Sequence, residues 1–147
     1  MQLWRISRHR DLSGAGGLRA PGRWHDRGAP IVYLAESPAG ALLETCVRTS
    51  GNDVPPSYTL LALQVAEPIS LETLDTSTLS PDWIDHVEAT REIGSAWLRS
   101  LRSALLRVPS ALVPATFNVL VNPLHGDAGR VQIESAYEYP FDPRMKR

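Results

Sequence analysis

The sequence is poor in several features that would place it in a specialised class of protein. Its 147 residues include one cysteine, Cys46, so neither an internal disulfide nor a zinc site built from paired cysteines is available. Basic and acidic side chains number 15 and 16, which excludes a strong positive field that would attract nucleic acid or anionic membranes. No apolar run approaches the roughly 18 residues that span a bilayer, and the first residues lack a signal-peptide core. We therefore expect a cytoplasmic protein that neither binds DNA directly nor enters a membrane.

The composition that remains is that of an ordinary globular domain. Hydrophobic residues make up 43% of the chain and charged residues 21%. A chain of this length buries roughly two thirds of the surface that its unfolded form exposes, so no disulfide or metal is needed for stability. Prolines and glycines are scattered, and no linker or repeat divides the sequence. We therefore predict a single domain over residues 1–147.

Hydrophobic periodicity predicts the order strand, helix, strand, helices, strands. The β-rich segments are 31–35, 58–65, 117–122 and 131–139. Helices are predicted to begin where a serine precedes a proline, at Ser37-Pro38 and Ser80-Pro81. Since this order does not repeat a strict βαβ unit, we predict an α+β fold with a mixed or antiparallel sheet and flanking helices.

The first predicted helix has an apolar stripe that is expected to face the core, with Gly51 placed to end the helix. The stripe consists of Ala39, Leu42, Leu43, Cys46 and Val47. Glu44 lies off this stripe, on the side that carries Arg48 four residues later. Glu44 is therefore either a catalytic carboxylate or one half of an exposed ion pair with Arg48, and such pairs are common.

A polar segment that we name the glycine-rich loop, residues 11–29, is longer than the usual connection between elements, and such loops are often functional. Its glycines resemble a dinucleotide fingerprint only superficially, because the third glycine is missing. The loop contains Gly22-Arg23-Trp24-His25. The planar donors of Arg23 suit a pyrophosphate, and the alternative is a solvated arginine beside a core tryptophan.

Several other polar residues are candidates for a site. Tyr33 either stacks on a ligand or packs in the core. Ser110, between two prolines, either faces a phosphate or sugar oxygen or is a turn serine. Asn118 and Asn122 share one face of a strand and need partners from a ligand or from the backbone. The four histidines, which include His125, are too widely spaced to indicate a metal cluster, so no metal is expected.

The order of these motifs closely resembles that of RES-domain proteins. The motifs are Gly-Arg-Trp, Val-Tyr-Leu-Ala-Glu-Ser, Ala-Leu-Leu-Glu, Val-Pro-Ser and Asn-x-x-x-Asn-Pro-x-His. The arginine, glutamate and serine for which that family is named map onto Arg23, Glu44 and Ser110. The resemblance runs from Trp4-Arg5 to about His125. His25 departs from the pattern, since many relatives carry asparagine there.

The resemblance implies the toxin of a bacterial toxin–antitoxin pair, with a fold similar to that of ADP-ribosyltransferases and NAD as substrate. It implies an antitoxin of the Xre type as partner. Members either cleave NAD by hydrolysis or phosphorolysis, or transfer ADP-ribose to an acceptor protein. The residues do not choose among these reactions. The alternative from another class is a non-catalytic module that only binds a nucleotide or the antitoxin.

The resemblance also implies a catalytic set of Glu44, Arg23, Tyr33 and Ser110. Glu44 is expected to hold a ribose hydroxyl and face the cation that develops as the nicotinamide–ribose bond breaks. Arg23 is expected to bind the pyrophosphate, and Tyr33 to stack on or orient the nicotinamide ribose. Ser110 is expected to bond phosphate or ribose, with Asn118 in support. Nicotinamide leaves as a neutral molecule, so no general acid is needed.

Overall fold

The computed structural model describes residues 1–50 and 53–146, so the predicted helix end at Gly51 lies outside the described residues. The strands are β1 (Gln2–Ile6), β2 (Val32–Ala35), β3 (Ser57–Val65), β4 (Leu71–Thr73), β5 (Leu105–Pro109), β6 (Phe117–Val121) and β7 (Val131–Pro140). The α-helices are α1 (Gly16–Arg19), α2 (Pro38–Arg48) and α3 (Val87–Ser100). The 3₁₀ turns in these described residues lie at Thr76–Thr78, Trp83–Asp85, Ala128–Arg130 and Pro143–Met145.

The seven strands form one sheet in the order β4-β5-β6-β2-β1-β3-β7. Neighbouring strands are antiparallel except for β4 and β5, which are parallel. The expected α+β fold with a mixed sheet is therefore confirmed. The two central strands β1 and β2 are adjacent, and each of them leads directly into a segment that forms part of the site described below.

The sheet buries apolar side chains on both of its faces, because successive residues of a strand point to opposite sides. On one face, the buried cluster includes Leu3, Val32, Leu34, Leu61 and Val119. On the other face, Leu106 and Leu120 pack with Trp24 of the glycine-rich loop and Trp97 of α3. The second cluster therefore ties the loop and α3 to the sheet.

Helix α3 holds the glycine-rich loop through backbone contacts. Gly94 lies so close to Trp24 that a Cβ at this position would overlap the Trp24 carbonyl group. Arg91 Nε donates to the Gly22 carbonyl at 2.7 Å, and Ser95 Oγ accepts from the Asp26 amide at 3.0 Å. Because buried backbone groups need partners, these bonds allow an irregular segment to lie against the core.

The two predicted helix starts differ in outcome. Ser37 is the N-cap of α2, and its side chain accepts a hydrogen bond from the Gly40 amide at 2.9 Å, as predicted. The prediction that a helix follows Ser80-Pro81 was wrong in position. A 3₁₀ turn at Trp83–Asp85 comes first, and α3 begins at Val87.

The predicted apolar stripe of α2 was wrong for three of its five residues. Leu43 and Val47 are exposed by 38% and 56%, and Ala39 is also exposed. Cys46 of the predicted stripe is buried, together with Ala41, which the stripe did not include. The small side chain of Ala41 lets α2 approach the sheet on the side that also carries Glu44 and Arg48. The spacing of apolar residues therefore placed the centre of the buried face incorrectly.

Strand β7 contains a bulge that breaks its alternating pattern. Ser135 pairs with Ala62 and Ile133 pairs with Leu63, so Glu134 is the extra residue. Ile133 therefore packs against the buried cluster, whereas Tyr137 lies on the opposite face and is 53% exposed. Strands β1, β4 and β5 were not predicted.

We expect Gly94→Ala to lower the free energy of unfolding by about 3 kcal/mol, because the added methyl group overlaps the Trp24 backbone. Alanine is the better helix former, so a loss of stability would come from packing alone. The matched control is Gly129→Ala, where a Cβ meets nothing within 4 Å. Urea unfolding of both variants measures the difference, and equal midpoints would contradict the close packing.

Candidate active site

A cleft of about 380 Å³ lies between the glycine-rich loop, strands β1, β2 and β6, and helix α2. Its lining includes Glu44 and Arg23, the two charged residues that the resemblance placed near the substrate. Glu44 is the acidic residue of this lining, and the other charged residues are Arg5, Arg23 and Arg48. A second groove of about 340 Å³, at the β7 edge, is lined by Tyr58, Leu60, Tyr137 and Tyr139. Because the first of these two combines a carboxylate with cations and the second has neither, the first cleft is the candidate active site.

Glu44 is held in this cleft by two donors from the sheet. Asn118 Nδ2 donates to Glu44 Oε1 at 3.0 Å, and Ser110 Oγ donates to the same oxygen at 3.4 Å. Among the described residues, no protein donor bonds to the second carboxylate oxygen, Oε2. Helix α2 thus supplies a carboxylate with one oxygen fixed and the other available to a ligand.

Ser110 lies behind Glu44, away from the cleft surface. The residue is 8% exposed, and its Oγ accepts hydrogen bonds from the Leu112 amide at 3.1 Å and the Val113 amide at 3.4 Å. These two bonds orient the hydroxyl proton toward Glu44. The structure therefore brings the predicted Glu44, Ser110 and Asn118 together, with the carboxylate nearest to the cleft.

The Tyr33 hydroxyl points into the glycine-rich loop. It donates to His25 Nδ1 at 2.7 Å and accepts from the Trp24 amide at 3.2 Å. Burial raises the pKa of Tyr33 to about 12, so the hydroxyl is protonated at neutral pH. Tyr33 lines the cleft, but its polar end joins strand β2 to the loop.

The three arginines of the cleft differ in their contacts. Arg23 Nη1 donates to the Ile84 carbonyl at 3.0 Å, and Arg5 Nη1 donates to the Asp11 carbonyl at 3.3 Å. Arg48 Nε donates to the backbone carbonyl of Glu44 at 3.3 Å, so the Glu44–Arg48 ion pair considered from the sequence does not form. Within residues 1–50 and 53–146, no carboxylate pairs with any of these arginines.

Arg5 and Arg48 were missed as site residues by the sequence analysis. Burial lowers the pKa of Arg5 against the raising effect of the Asp11 charge, and the nearby charge of Arg48 adds to the lowering. Arg5 stands between the apolar residues Trp4 and Ile6 on a central strand, and a charge at such a position was the available signal. The cleft therefore has a net positive charge that favours an anionic ligand.

Two other sequence candidates are not in the cleft. Asn122 is 1% exposed, and its Nδ2 donates to the Leu98 carbonyl at 3.0 Å, which gives it a structural role. His125 Nδ1 accepts from the Asp127 amide at 3.0 Å and does not line the cleft. In the part of the chain that the structure describes, no three potential ligands are grouped to hold a metal, and no helix is long and apolar enough to cross a membrane.

Residues 2–142 match the model of the RES domain. The chain belongs to the RES-domain family. Its resemblance in motif order is thereby confirmed. A protein named Toxin Res from Pseudomonas putida (strain KT2440) is 44% identical to this RES domain over 138 residues, which cover 91% of this chain and 94% of that protein.

Two further proteins are similar to this RES domain. The Prs ADP-ribosylating toxin of Sphingobium sp. (strain YBL2) is 39% identical over 142 residues, covering 93% of this chain and 88% of that protein. In the crystal structure of the M. tuberculosis MbcT-MbcA toxin–antitoxin complex, one chain matches with a TM-score of 0.72 at 19% identity. That match covers 99% of this chain and 86% of the other, and it shows a shared fold.

We expect Tyr33→Phe to lower the free energy of unfolding by about 1–3 kcal/mol, because His25 Nδ1 and the Trp24 amide both lose a partner. The control is Tyr137→Phe, which removes a hydroxyl from a side chain that is 53% exposed. Chemical denaturation monitored by circular dichroism measures both variants. An unchanged stability of Tyr33→Phe would show that these two bonds contribute nothing.

Proposed function

We propose that this RES domain is the toxin of a toxin–antitoxin pair and that it cleaves NAD at the nicotinamide–ribose bond. The observation that carries the proposal is the single carboxylate of Glu44, held by Asn118 and Ser110 in a cleft whose other charged residues are arginines. NAD fits these charges because its pyrophosphate is anionic and its nicotinamide ring is cationic. The names of the relatives, toxins and in one case an ADP-ribosylating toxin, support the proposal.

Glu44 stabilises the charge that develops during cleavage. When the bond between nicotinamide and the ribose breaks, its electron pair leaves with nicotinamide, which departs neutral, and positive charge develops on the ribose. The Glu44 carboxylate attracts this cation, and the unbonded Oε2 accepts a hydrogen bond from a ribose hydroxyl. Asn118 and Ser110 orient the carboxylate without neutralising it, since neither donor carries a charge.

The arginines of the cleft bind the other half of the substrate. Arg23 binds the pyrophosphate, with Arg5 and Arg48 adding positive charge along the same cleft. The Tyr33 ring contributes an apolar wall to the nicotinamide ribose end of the substrate. The contacts between the arginines and the pyrophosphate lie away from the reacting bond. They position the nicotinamide–ribose bond next to Glu44.

The cleaved ribose is captured by an acceptor, which is water in hydrolysis or inorganic phosphate in phosphorolysis. The second candidate reaction is transfer of ADP-ribose to a protein, and the name of the Sphingobium relative favours it. The partner that we propose for this toxin is an antitoxin of the Xre type. A fold similar to that of ADP-ribosyltransferases, as the motif resemblance implies, is compatible with both reactions.

We expect Glu44→Gln to reduce NAD turnover by about two to three orders of magnitude, because the charge is lost while the shape is kept. The matched control is Glu92→Gln on the exposed side of α3, which should retain full activity. The assay uses NAD labelled on its adenylate phosphate, with and without inorganic phosphate and bacterial lysate.

The labelled products decide among the reactions. Free ADP-ribose identifies hydrolysis, its 1-phosphate identifies phosphorolysis, and label on a lysate protein identifies transfer. If NAD stays intact in every tube, the protein is a binding module and the proposal fails. Turnover by Glu44→Gln at the level of Glu92→Gln would refute the assigned role of Glu44.

We expect Arg23→Ala to raise the KM for NAD at least about tenfold with a smaller change in kcat, because it removes a contact to a part of the substrate that does not react. Arg99→Ala, on the exposed end of α3, is the control for loss of a positive charge outside the cleft. Initial rates over a range of NAD concentrations separate the two constants. Identical KM values for both variants would remove the pyrophosphate assignment.

A further inference from the structure

His25 is buried within the glycine-rich loop, with 2% of its surface exposed. Its two ring nitrogens contact different parts of the fold. Nδ1 lies 2.7 Å from the Tyr33 hydroxyl on strand β2, and Nε2 lies 3.3 Å from the Gly17 carbonyl oxygen in the loop. The imidazole therefore connects the beginning of the loop to the sheet.

These contacts determine which nitrogen carries the proton. A carbonyl oxygen only accepts, so Nε2 carries the hydrogen that is donated to Gly17. Nδ1 is then the acceptor, and the Tyr33 hydroxyl donates to it while accepting from the Trp24 amide. Every polar group of this network is satisfied when the imidazole is neutral.

The loop is closely packed around His25 at two of its glycines. A Cβ at Gly22 would overlap the Tyr33 hydroxyl, and a Cβ at Gly17 would overlap the Ala29 carbonyl oxygen. The Gly22 amide also donates to the carbonyl of His25 at 3.1 Å. Since Gly17, Gly22 and Arg23 all line the cleft, the position of the imidazole sets the shape of the cleft wall.

We propose that His25 is a positioning residue whose neutral imidazole, bonded to Tyr33 and Gly17, fixes the glycine-rich loop and thereby Arg23 for NAD binding. The proposal rests on the function proposed above and extends it to a residue outside the catalytic set. His25 does not contact the reacting bond in this role. It acts through Tyr33, whose hydroxyl bonds to the imidazole within the loop.

Protonation of His25 disrupts this arrangement. The imidazolium has two donors, so Nδ1 no longer accepts and the buried Tyr33 proton loses its partner. The charged and titratable groups near His25 are Tyr33 on β2, Arg91 on α3 and Asp26 in the loop. Burial, joined by the charge of Arg91, lowers the pKa of His25 from its ordinary 6.5, against the raising effect of Asp26 and the backbone carbonyls.

The sign of the pH dependence follows from this lowered pKa. Below pH 6.5 the unfolded or loosened loop binds a proton at His25 more readily than the ordered loop does. The order of the loop is therefore complete at neutral pH and declines as the pH falls through the lowered pKa. We expect the KM for NAD to rise over that range while kcat changes less.

Two variants test the role of His25. His25→Phe keeps a ring and removes both hydrogen bonds, and it should raise the KM for NAD about tenfold with kcat changed less than about threefold. His25→Gln keeps an acceptor that does not titrate, so it should partly restore KM and abolish the rise of KM at low pH. The control is His125→Gln, a histidine outside the cleft, which should keep the wild-type pH profile.

A second measurement does not depend on turnover. Amide hydrogen exchange without NAD should be faster over the glycine-rich loop in His25→Gln than in wild type, with exchange in β5 and β6 unchanged. Calorimetric binding of NAD to Glu44→Gln, alone and combined with His25→Gln, should show weaker binding in the double variant. Because His25→Gln keeps a polar side chain, it remains informative if His25→Phe does not fold.

The outcomes separate this proposal from the proposed function. If Glu44→Gln keeps full turnover, the proposed function fails, while loop exchange still reports on His25. Unchanged KM and unchanged loop exchange in both His25 variants would overturn the positioning role. A loss of kcat with constant KM would also overturn it, since His25 would then act in the chemical step.

Discussion

The close packing of the glycine-rich loop on α3 is the constraint on which the rest of the site depends. Gly94 removes the side chain that would otherwise separate the helix from the Trp24 backbone, and Arg91 and Ser95 supply partners for loop carbonyl and amide groups. A long irregular segment thereby lies against the core with partners for the backbone groups that face α3. The cleft wall, the orientation of Tyr33 and the placement of Arg23 all follow from this contact.

The charges of the cleft are arranged so that none cancels another. Glu44 is held by the neutral groups of Asn118 and Ser110, and the arginines donate to backbone carbonyls. An ion pair between Glu44 and Arg48 would have weakened the field that each presents to a ligand. Neutral hydrogen bonds thus provide orientation while both signs of charge remain available in the cleft.

Short sequence motifs and their order along the chain predicted part of the fold and part of the site. The Ser37-Pro38 cap, the strands around residues 58–65 and 117–121, and the grouping of Glu44, Ser110 and Asn118 agree with the structure. The grouping came from motif order, since its members are far apart in sequence. The α+β class followed from the order of elements alone.

Features that depend on tertiary contacts could not be predicted in this way. The buried face of α2 is set by the close approach of Ala41 to the sheet, so the more apolar face with Leu43 and Val47 stays exposed. The bulge at Glu134 reverses the alternation of β7 and depends on pairing with β3. The partner of His25 is a tyrosine eight residues away on another element, and no pattern in the sequence indicated that pairing.

The bulge in β7 also affects how the molecule meets its neighbours in solution. Strand β7 is an outer strand of ten residues, and within the described residues no other strand pairs with its far side. A long, regular outer strand is a template for association between copies. At Glu134 the bulge changes the spacing of the unpaired backbone N–H and C=O groups and increases the twist of the strand. A second, straight strand could therefore pair with β7 on only one side of the bulge. The carboxylates of Glu134 and Glu138 add mutual repulsion between two such edges, and together these features oppose uncontrolled aggregation.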